Sequence, residues 1–357
     1  MKVAFLSFYS GEYFRGVETY VHSLANQLVK LGHDVVVYQN GPEVKGTKYK
    51  VVSMGMKVDW KKKGNESKRI LNIFTNYWMQ LVGKFTRRVL KQIDQDVDVV
   101  IPTNGNLQSV YCRLWCTLHR KKMLITGLSG PGWDDRFNVW CFPDTFIAAT
   151  HYQEGWAKKV NPFVKTTTIP YGANIEDFEK PVSPLKINLP KPIILSVGAL
   201  VPIKRHELEI EAVAKLKKGS LVISGKGQSE EKLKKLGEEK LKGRFQIVHL
   251  PHDQIANLYH SADLFTFATS PWESFGIVLV EAMAAGLPIV ASDDPIRREI
   301  VGEAGLFVNP IDSTVYAKTI QKALEIDWGD TSIRQAKKFG WDSIACAYEE
   351  LFKEIIQ

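Results

Sequence analysis

The chain has 357 residues, 45% of them hydrophobic and 24% charged, which is the composition of a globular protein of about two domains and excludes a disordered or fibrous chain. No apolar run approaches the roughly 20 residues that span a bilayer. The opening MKVAFLSF lacks the long apolar stretch and cleavage site of a signal peptide, so we expect a cytoplasmic protein.

The first half of the chain alternates short apolar runs with helical patterns. Its start predicts a strand at 1–8, a glycine-bearing loop YSGEYFRGVE, a helix over VETYVHSLANQLVKLGH and a strand at DVVVYQ. This alternation predicts a parallel sheet, whose ligands bind at the loops that follow its strands. Further strands are expected at 96–104, 122–129, 144–150 and 166–172.

The net charge of +8 is concentrated in one segment. Residues 57–91 hold ten lysines and arginines against Asp59 and Glu66, so the rest of the chain is formally neutral. Aromatic residues are interleaved with these cations, a pattern typical of an anionic lipid surface, and no nucleic-acid motif is present. We therefore expect membrane contact, against the alternative of a solvated helix face. The candidate contact residues are Lys61, Lys62, Lys63, Arg87 and Arg88.

Two sequence features suggest a metal, and neither is a convincing site. DQDVD at 94–98 has Asp-x-Asp spacing but runs directly into a strand, at the end of the sheet opposite its ligand edge. Cys112 and Cys116 have helical spacing without a second pair of ligands, so we interpret them as buried thiols. Four cysteines in so long a chain also fit a reducing compartment. We expect no metal and no cofactor.

A proline-rich stretch at 173–192 predicts a linker, and a second series of strands and helices follows it. We therefore expect two doubly wound domains that face a cleft. The closing GWDSIACAYEELFKEII predicts an amphipathic helix that returns to the first domain. The expected divisions are an N-terminal domain at 1–175, a C-terminal domain at 176–340, and the final helix at 341–357.

Three loops of the second domain suggest a diphosphate site. Lys204 and Arg205 follow the strand that ends at Gly198, and Gly225 follows the next strand. A third loop, SPWESFG, precedes a helix that we expect to open at Gly276. Free amides at a helix start and two cations suit a diphosphate. The amides in question belong to Gly276, Ile277 and Val278.

Two glutamates flank this predicted helix start. On one continuous helix Glu273 and Glu281 would lie roughly 12 Å apart, so we expect Glu273 in the loop and Glu281 in the second helical turn. Carboxylates accept hydrogen bonds from paired hydroxyls. The arrangement suits a ligand with hydroxyls on both sides of a diphosphate, namely a nucleotide sugar. The alternatives are a cap partner for Glu273 and a structural ion pair for Glu281.

The stretch ESFGIVLVEAMAAGLPIVAS resembles the E-x7-E signature of the retaining glycosyltransferases of family 4, which have the GT-B fold. RGVETYVHSLANQLVKLGHDV, TTTIPYGAN and SVGALVPIKR also resemble segments of that family, so the resemblance covers nearly the whole chain. It implies a GT-B fold of two Rossmann-like domains. It also implies transfer of a hexose from a UDP- or GDP-sugar to a glycan or lipid-linked acceptor, with an acceptor-binding domain at 1–175 and a nucleotide-sugar donor-binding domain at 176–340.

The resemblance also implies roles for individual residues. Glu273 is expected to contact the transferred sugar and Glu281 the ribose, while Lys204 binds the diphosphate and Gly16 closes the site. The remaining candidates are Gly198, Gly225, Ser274, Phe275, Gly276, Ile277 and Val278 for the donor, and His249 and Leu250 for the base.

The sequence departs from the family pattern at three positions. Ala199 stands where the family has arginine, which leaves Arg205 as the candidate second phosphate cation. Arg15 precedes Gly16 where two glycines are usual, and Ser129 occupies the usual histidine position. Arg15 and Ser129 are thus candidates for positioning acceptor or sugar.

We weigh three functions. The first is a metal-independent retaining glycosyltransferase in which the departing phosphate takes the acceptor proton. The second is a nucleotide-sugar epimerase on the same fold, which needs no acceptor. The third is a non-catalytic sugar-nucleotide-binding protein, suggested by Ala199 and Ser129.

Overall fold

The computed structural model describes residues 1–13, 15–60, 76–180, 182–251 and 254–356. It divides into two units, the first formed by Met1–Gly172 with Trp341–Gln357 and the second by Ala173–Gly340. Within the described residues, no helix is both long and apolar enough to cross a membrane.

The first unit is built on a parallel sheet. Its strands are β1 (Lys2–Ser7), β2 (Asp34–Gln39), β3 (Lys50–Ser53), β4 (Val99–Pro102), β5 (Lys122–Thr126), β6 (Thr145–Ala148) and β7 (Thr166–Thr168). Its helices are α1 (Gly16–Lys30), α2 (Tyr77–Leu90), α3 (Leu107–His119), α4 (Trp133–Trp140), α5 (His151–Val160) and α14 (Trp341–Ile356).

The strand order of this sheet is β3-β2-β1-β4-β5-β6-β7. The order reverses between β1 and β4, so the loops that leave these two strands diverge. Separate buried clusters hold the helices onto the sheet. Helices α2 and α3 share one cluster, and α1 and α14 share another.

The second unit repeats this architecture. Its strands are β8 (Ile193–Val197), β9 (Ser220–Ser224), β10 (Phe245–Val248), β11 (Leu264–Phe267), β12 (Ile289–Ser292) and β13 (Gly305–Val308). Its helices are α6 (Ile175–Glu179), α7 (His206–Ala214), α8 (Glu230–Leu241), α9 (Ile255–Tyr259), α10 (Ile277–Ala284), α11 (Pro295–Val301), α12 (Ser313–Glu325) and α13 (Thr331–Lys337). The strand order β10-β9-β8-β11-β12-β13 reverses between β8 and β11.

The predicted alternation of strands and helices is confirmed, with two differences. The sequence pattern missed β3, a half-buried edge strand of four residues that carries a lysine and a serine at its ends. Helix α6 lies where the prolines predicted a linker. It buries Ile175 and Phe178, which shows that tertiary packing overrides the weak local pattern.

The predicted C-terminal helix is confirmed as α14, which packs on α1 in the first unit. The hydroxyl groups of Tyr348 and Thr126 lie 3.0 Å apart, which ties the helix to the end of β5. At the start of α14, the Trp341 ring is 6% exposed. A Cβ atom on Gly172 would lie 2.3 Å from Cδ2 of this ring.

Replacing Gly172 with alanine is therefore expected to destabilise the first unit by about 1–3 kcal/mol, because the buried ring has to move. Gly155 is the matched control, since it lies in α5 with no atom within 4 Å of an added Cβ. Gly155→Ala is expected to be neutral or stabilising by up to about 1 kcal/mol. Urea unfolding followed by circular dichroism tests both variants, and equal midpoints would contradict this packing account.

Candidate functional site

The carboxyl edge of the second sheet brings two predicted site residues together. The strand order reverses between β8 and β11, which is where ligands bind in such sheets. The loop after β8 carries Lys204, at the end of a 3-10 turn (Pro202–Lys204), and the loop after β11 carries Glu273. The fold thus places both charges at the switch point.

Lys204 and Glu273 form a direct ion pair. Lys204 Nζ lies 2.7 Å from Glu273 Oε2, and the two side chains are only 16% and 17% exposed. Lys204 Nζ also lies 5.2 Å from the centroid of the Phe267 ring, a cation–π contact. This partial burial weakens the screening of the pair by water. The site therefore offers a cation and a carboxylate oxygen at one point, with a small opening to solvent.

Arg205 stabilises the loop after β11 through hydrogen bonds to its backbone. Its Nε donates to the carbonyl of Ala268 at 2.8 Å, and its Nη2 donates to the carbonyl of Thr269. From the other side, the amide of Ala268 donates to Glu209 Oε1 at 3.1 Å. Glu209 is itself buried against His206, with 2.9 Å between Oε2 and Nδ1. Arg205 thus orders the loop that carries Glu273, and its contact with phosphate stays a prediction.

Arg297 is a site residue that the sequence analysis missed. It is fully buried in α11, where its Nε lies 2.9 Å from Asp294 Oδ2. Its Nη1 donates to the backbone carbonyl of Glu273 at 2.9 Å. The Asp294–Pro295 pair at the start of α11 signals a helix start, but no local pattern indicates that an arginine of this helix reaches the loop after β11.

The glycines that follow β8 and β9 allow the loops after these two strands to approach each other closely. A Cβ on Gly225 would lie 1.8 Å from the carbonyl oxygen of Gly198. Gly198 is also close to Lys204, whose Cδ lies 3.7 Å from the position of a Cβ on Gly198. Both glycines therefore belong to the neighbourhood of the ion pair, and their direct contact with a donor stays a prediction.

Helix α10 begins at Ile277 with Gly276 as its N-cap, so Glu273 lies in the loop and Glu281 in the helix, as the sequence predicted. Gly276 has a φ of 87°, in the region that favours glycine. Phe275 is buried, and Ser274 precedes it in the loop. Within the described residues, no acceptor is recorded for the amides of Ile277 and Val278. A helix start of this kind attracts an anion.

Glu281 accepts a hydrogen bond of 2.8 Å from the hydroxyl of Tyr259, in α9. Burial raises the pKa of Tyr259, so this hydroxyl stays protonated and remains a donor. The carboxylate is thus oriented from one side. Tyr259 was not identified from the sequence, because a tyrosine at the end of a short amphipathic helix is typical of ordinary core packing.

His249 and Leu250 follow β10, as expected for a loop at the ligand edge. The His249 ring lies 2.7 Å from Glu230 at the start of α8, measured from Nε2 to Oε1. The imidazole is thus exposed and in contact with a carboxylate of α8. Base recognition by the backbone of this loop stays a prediction.

In the first unit, Arg15 and Gly16 lie at the start of α1. The Arg15 guanidinium stacks 4.7 Å from the centroid of the Tyr9 ring, and its Nη2 lies 2.9 Å from Oε1 of the buried Glu18. Glu18 was missed by the sequence analysis, although a glutamate three residues after a helix start is a capping signal. A Cβ on Gly16 would meet no atom within 4 Å, so this position is open.

Ser129 lies after β5 and is exposed. Its amide donates to Asp135 Oδ2 at 3.1 Å. Burial raises the pKa of Asp135 to about 7. The loop where the family has a histidine is therefore held by a buried carboxyl group that ionises near neutral pH.

The remaining predicted residues fall in three places. Arg87 and Arg88 are exposed on α2, whereas Lys61, Lys62 and Lys63 lie outside the described residues. Asp94 and Asp96 pair with Lys2, at 2.8 and 2.9 Å, at the edge of the sheet where β1 begins. The search for clusters of three or more metal-ligating side chains, confined to the described residues, finds none.

Comparison with known families identifies both halves of the chain. Residues 14–177 match the model of Glycosyltransferase Family 4, and residues 177–339 match that of Glycosyl transferases group 1.

The curated relatives match over part of their length. An uncharacterized glycosyltransferase of Methanocaldococcus jannaschii is 34% identical over 176 residues, which are 45% of this chain and 44% of that protein. D-inositol 3-phosphate glycosyltransferase of Corynebacterium jeikeium is 30% identical over 216 residues, 52% of this chain and 51% of the relative. These matches span about half the length of each relative.

Solved structures match over nearly the whole chain. Sucrose-phosphate synthase of Thermosynechococcus elongatus has a TM-score of 0.76 at 20% identity, covering 99% of this chain and 98% of the other. HepE of Anabaena, in complex with UDP-glucose, has a TM-score of 0.73 at 17% identity, covering 99% and 100%. Since two family models together account for residues 14–339, the chain belongs to the group 1 glycosyltransferases and has their GT-B fold of two parallel sheets.

Proposed function

We propose that the chain is a retaining glycosyltransferase that moves a hexose from a nucleotide diphosphate sugar to a hydroxyl of a glycan or lipid-linked acceptor. The observation that carries the proposal is the Lys204–Glu273 pair at the switch point of the second sheet. A nucleotide-sugar donor is further supported by HepE, which binds UDP-glucose. Because the matched families are glycosyltransferases, the epimerase and non-catalytic alternatives are not favoured.

The pair suggests how a donor is held. Lys204 and the amides of Ile277 and Val278 offer positive charge to a diphosphate. Glu273 offers a carboxylate to the sugar hydroxyls. Glu281, oriented by Tyr259, offers a second carboxylate to the ribose. When the donor binds, the lysine exchanges its carboxylate partner for a phosphate, so its charge stays compensated throughout.

In the reaction, the acceptor oxygen bonds to the anomeric carbon and the bond from that carbon to the phosphate oxygen breaks. The departing phosphate takes the proton of the acceptor hydroxyl on the same face, which retains the anomeric configuration. Negative charge grows on the diphosphate, and donors that are already in place stabilise it without reorganisation. We propose that Lys204 and the α10 amides do this without a metal ion.

Lys204→Ala is expected to lower the rate of sugar transfer by on the order of a hundredfold, equivalent to about 3 kcal/mol, because one charged donor to the diphosphate is lost. Glu273→Gln keeps the shape of the side chain and is expected to lower the same rate, because a neutral amide binds the sugar hydroxyls less strongly. Release of nucleoside diphosphate from UDP- and GDP-sugars measures both variants.

Lys240→Ala and Glu211→Gln are the matched controls, since these residues form a more exposed pair with 3.8 Å between Nζ and Oε1. Both controls should behave as the parent protein. Parent-level rates in Lys204→Ala and Glu273→Gln would refute the proposal. Comparing the anomeric configuration of donor and product by NMR tests retention separately.

Arg297→Lys tests the positioning of Glu273. Lysine keeps the charge beside Asp294, but its single ammonium group cannot also reach the carbonyl of Glu273. The transfer rate is expected to fall on the order of tenfold to a hundredfold through misplacement of the carboxylate, while the affinity for nucleoside diphosphate stays near that of the parent.

Arg298→Lys is the control for this variant, because Arg298 is the next residue and pairs with Asp293 at 2.6 Å on the surface. It should leave the transfer rate unchanged. An equal loss of rate in the two variants, or an equal loss of nucleotide affinity and rate in Arg297→Lys, would contradict the positioning role.

We further propose that the first unit contacts the cytoplasmic face of an anionic membrane. Helices α2 and α3 cover the same side of the sheet, and a Cβ on Gly83 of α2 would lie 3.2 Å from Leu107 of α3. Their outer surface combines exposed cations of α2 with Leu114 and Leu118 of α3, which are 59% and 80% exposed. Cations beside exposed leucines suit lipid headgroups and the acyl boundary. The exposed α2 cations are Lys84, Arg87 and Arg88.

Reversing Arg87 and Arg88 to glutamate is expected to weaken binding to vesicles that contain phosphatidylglycerol by at least about thirtyfold, since each basic residue near the surface contributes about 1 kcal/mol. Lys234→Glu with Lys235→Glu makes the same change of charge on the exposed face of α8 and should have no effect. Equal vesicle binding by the parent protein and both variants would contradict membrane contact by this surface. Equal binding to neutral vesicles at high salt would also contradict it.

A further inference from the structure

Two adjoining cavities lie in the first unit, each of about 100 Å³. Both are lined by the segment Asn104–Gly105–Asn106, which follows β4. The strand order of this sheet reverses between β1 and β4, so the cavities occupy its switch point. We name them the aromatic cavity, walled by Tyr9 and Trp78, and the polar cavity, walled by Ser129 and Asp135.

The segment shared by the two cavities has an unusual backbone. Asn106 has a φ of 51° and a ψ of −129°, a conformation that normally requires glycine and costs a residue with a side chain about 1–3 kcal/mol. Hydrogen bonds hold the segment from both sides. The amide of Phe8 donates to Asn104 Oδ1 at 2.7 Å, and the amide of Asn104 donates to Gln108 Oε1 at 2.8 Å.

The side chain of Asn106 is available to a ligand. The hydrogen bonds recorded for the described parts of the chain include none that its amide group makes, although it lines both cavities. A strained residue with an uncommitted amide at a switch point is typical of a binding position. The planar amide group of asparagine carries both hydrogen-bond donors and an acceptor, so it can bind two adjacent hydroxyl groups of a ligand.

The aromatic cavity presents half-buried rings beside these amides. The ring centroids of Tyr9 and Trp78 lie 6.1 Å apart, and Trp60 stacks on Trp78 at 5.8 Å. A pyranose ring has an apolar C–H face and a rim of hydroxyls, so an aromatic wall beside an asparagine matches both features.

The charge of the lining disfavours an anionic ligand. The described residues that line the two cavities include no lysine or arginine, whereas the polar cavity contains Asp134 and Asp135. Arg15 is not among the lining residues; its guanidinium lies 4.7 Å from the centroid of the Tyr9 ring, and its charge is met by Glu18 at 2.9 Å. A phosphate group in the polar cavity would face Asp134 and the buried carboxyl group of Asp135, and the described lining offers no lysine or arginine to bind it.

We propose that these cavities bind two consecutive uncharged sugar units of an oligosaccharide acceptor, one unit in the polar cavity and the other against Tyr9 and Trp78. The inference rests on the proposed glycosyl transfer and specifies its acceptor. An acceptor that would place a phosphate in the polar cavity, such as the substrate named for the D-inositol 3-phosphate glycosyltransferases, is thereby disfavoured.

The experiment is saturation-transfer NMR and affinity measurement with neutral hexose mono- and disaccharides and with inositol 3-phosphate, without donor. The parent protein is expected to bind a disaccharide roughly tenfold or more tightly than the matching monosaccharide, and inositol 3-phosphate most weakly. Asn106→Gly suits the backbone and so preserves folding, and it is expected to weaken disaccharide binding roughly fivefold to tenfold, as for the loss of one or two hydrogen bonds.

Trp78→Phe tests the aromatic wall with a ring retained, and Phe163→Ala is the control because Phe163 is 87% exposed elsewhere in the first unit. Trp78→Phe should lower the affinity for the disaccharide but not the affinity for the monosaccharide. Phe163→Ala should change neither affinity. Tightest binding of inositol 3-phosphate, equal affinity for one and two sugar units, or no saccharide binding would overturn the inference. Donor hydrolysis, assayed separately, would then still report on the proposed transfer.

Discussion

The function that we propose for the second unit depends on the contact of 2.7 Å between Lys204 and Glu273. The two residues come from different loops and meet only because β8 and β11 are neighbours at the point where the strand order reverses. Partial burial makes each charge a strong partner for a ligand of opposite charge. It also makes each charge costly to leave uncompensated, so a ligand that separates the pair has to provide an anionic group for the lysine and hydrogen-bond donors for the carboxylate.

Charged side chains hold in place the two loops that carry Lys204 and Glu273. Arg297 binds the backbone of Glu273 while Asp294 neutralises it, and Arg205 and Glu209 fix the two sides of Ala268. Buried charged groups of this kind contribute little net stability, since their desolvation offsets their attraction. We propose that they specify one geometry for the loop that carries Glu273, an instance of preorganisation.

The sequence predicted the two parallel sheets, the returning helix and the separation of Glu273 from Glu281, because apolar periodicity and glycine positions are local signals. It did not predict β3, whose edge position buries too little to leave a pattern, nor the contact of Arg297 with Glu273, which depends on the packing of α11 beside the loop. For Arg205 the sequence indicated a phosphate cation, which stays a prediction, but it did not indicate the hydrogen bonds from its guanidinium to backbone carbonyls. Contacts of this kind between a side chain and a distant backbone depend on which loops become neighbours in the fold. The spacing of residues along the chain does not predict which loops these are.

The claim that Lys204 serves the diphosphate is tested most directly by comparing two affinities. The parent protein and Lys204→Ala are titrated with the preferred nucleoside diphosphate, UDP or GDP, and with the corresponding nucleoside. The account predicts that the variant loses affinity for the diphosphate and keeps its affinity for the nucleoside, because only the phosphates meet the lysine. Unchanged affinity for the diphosphate, or an equal loss for both ligands, would contradict it.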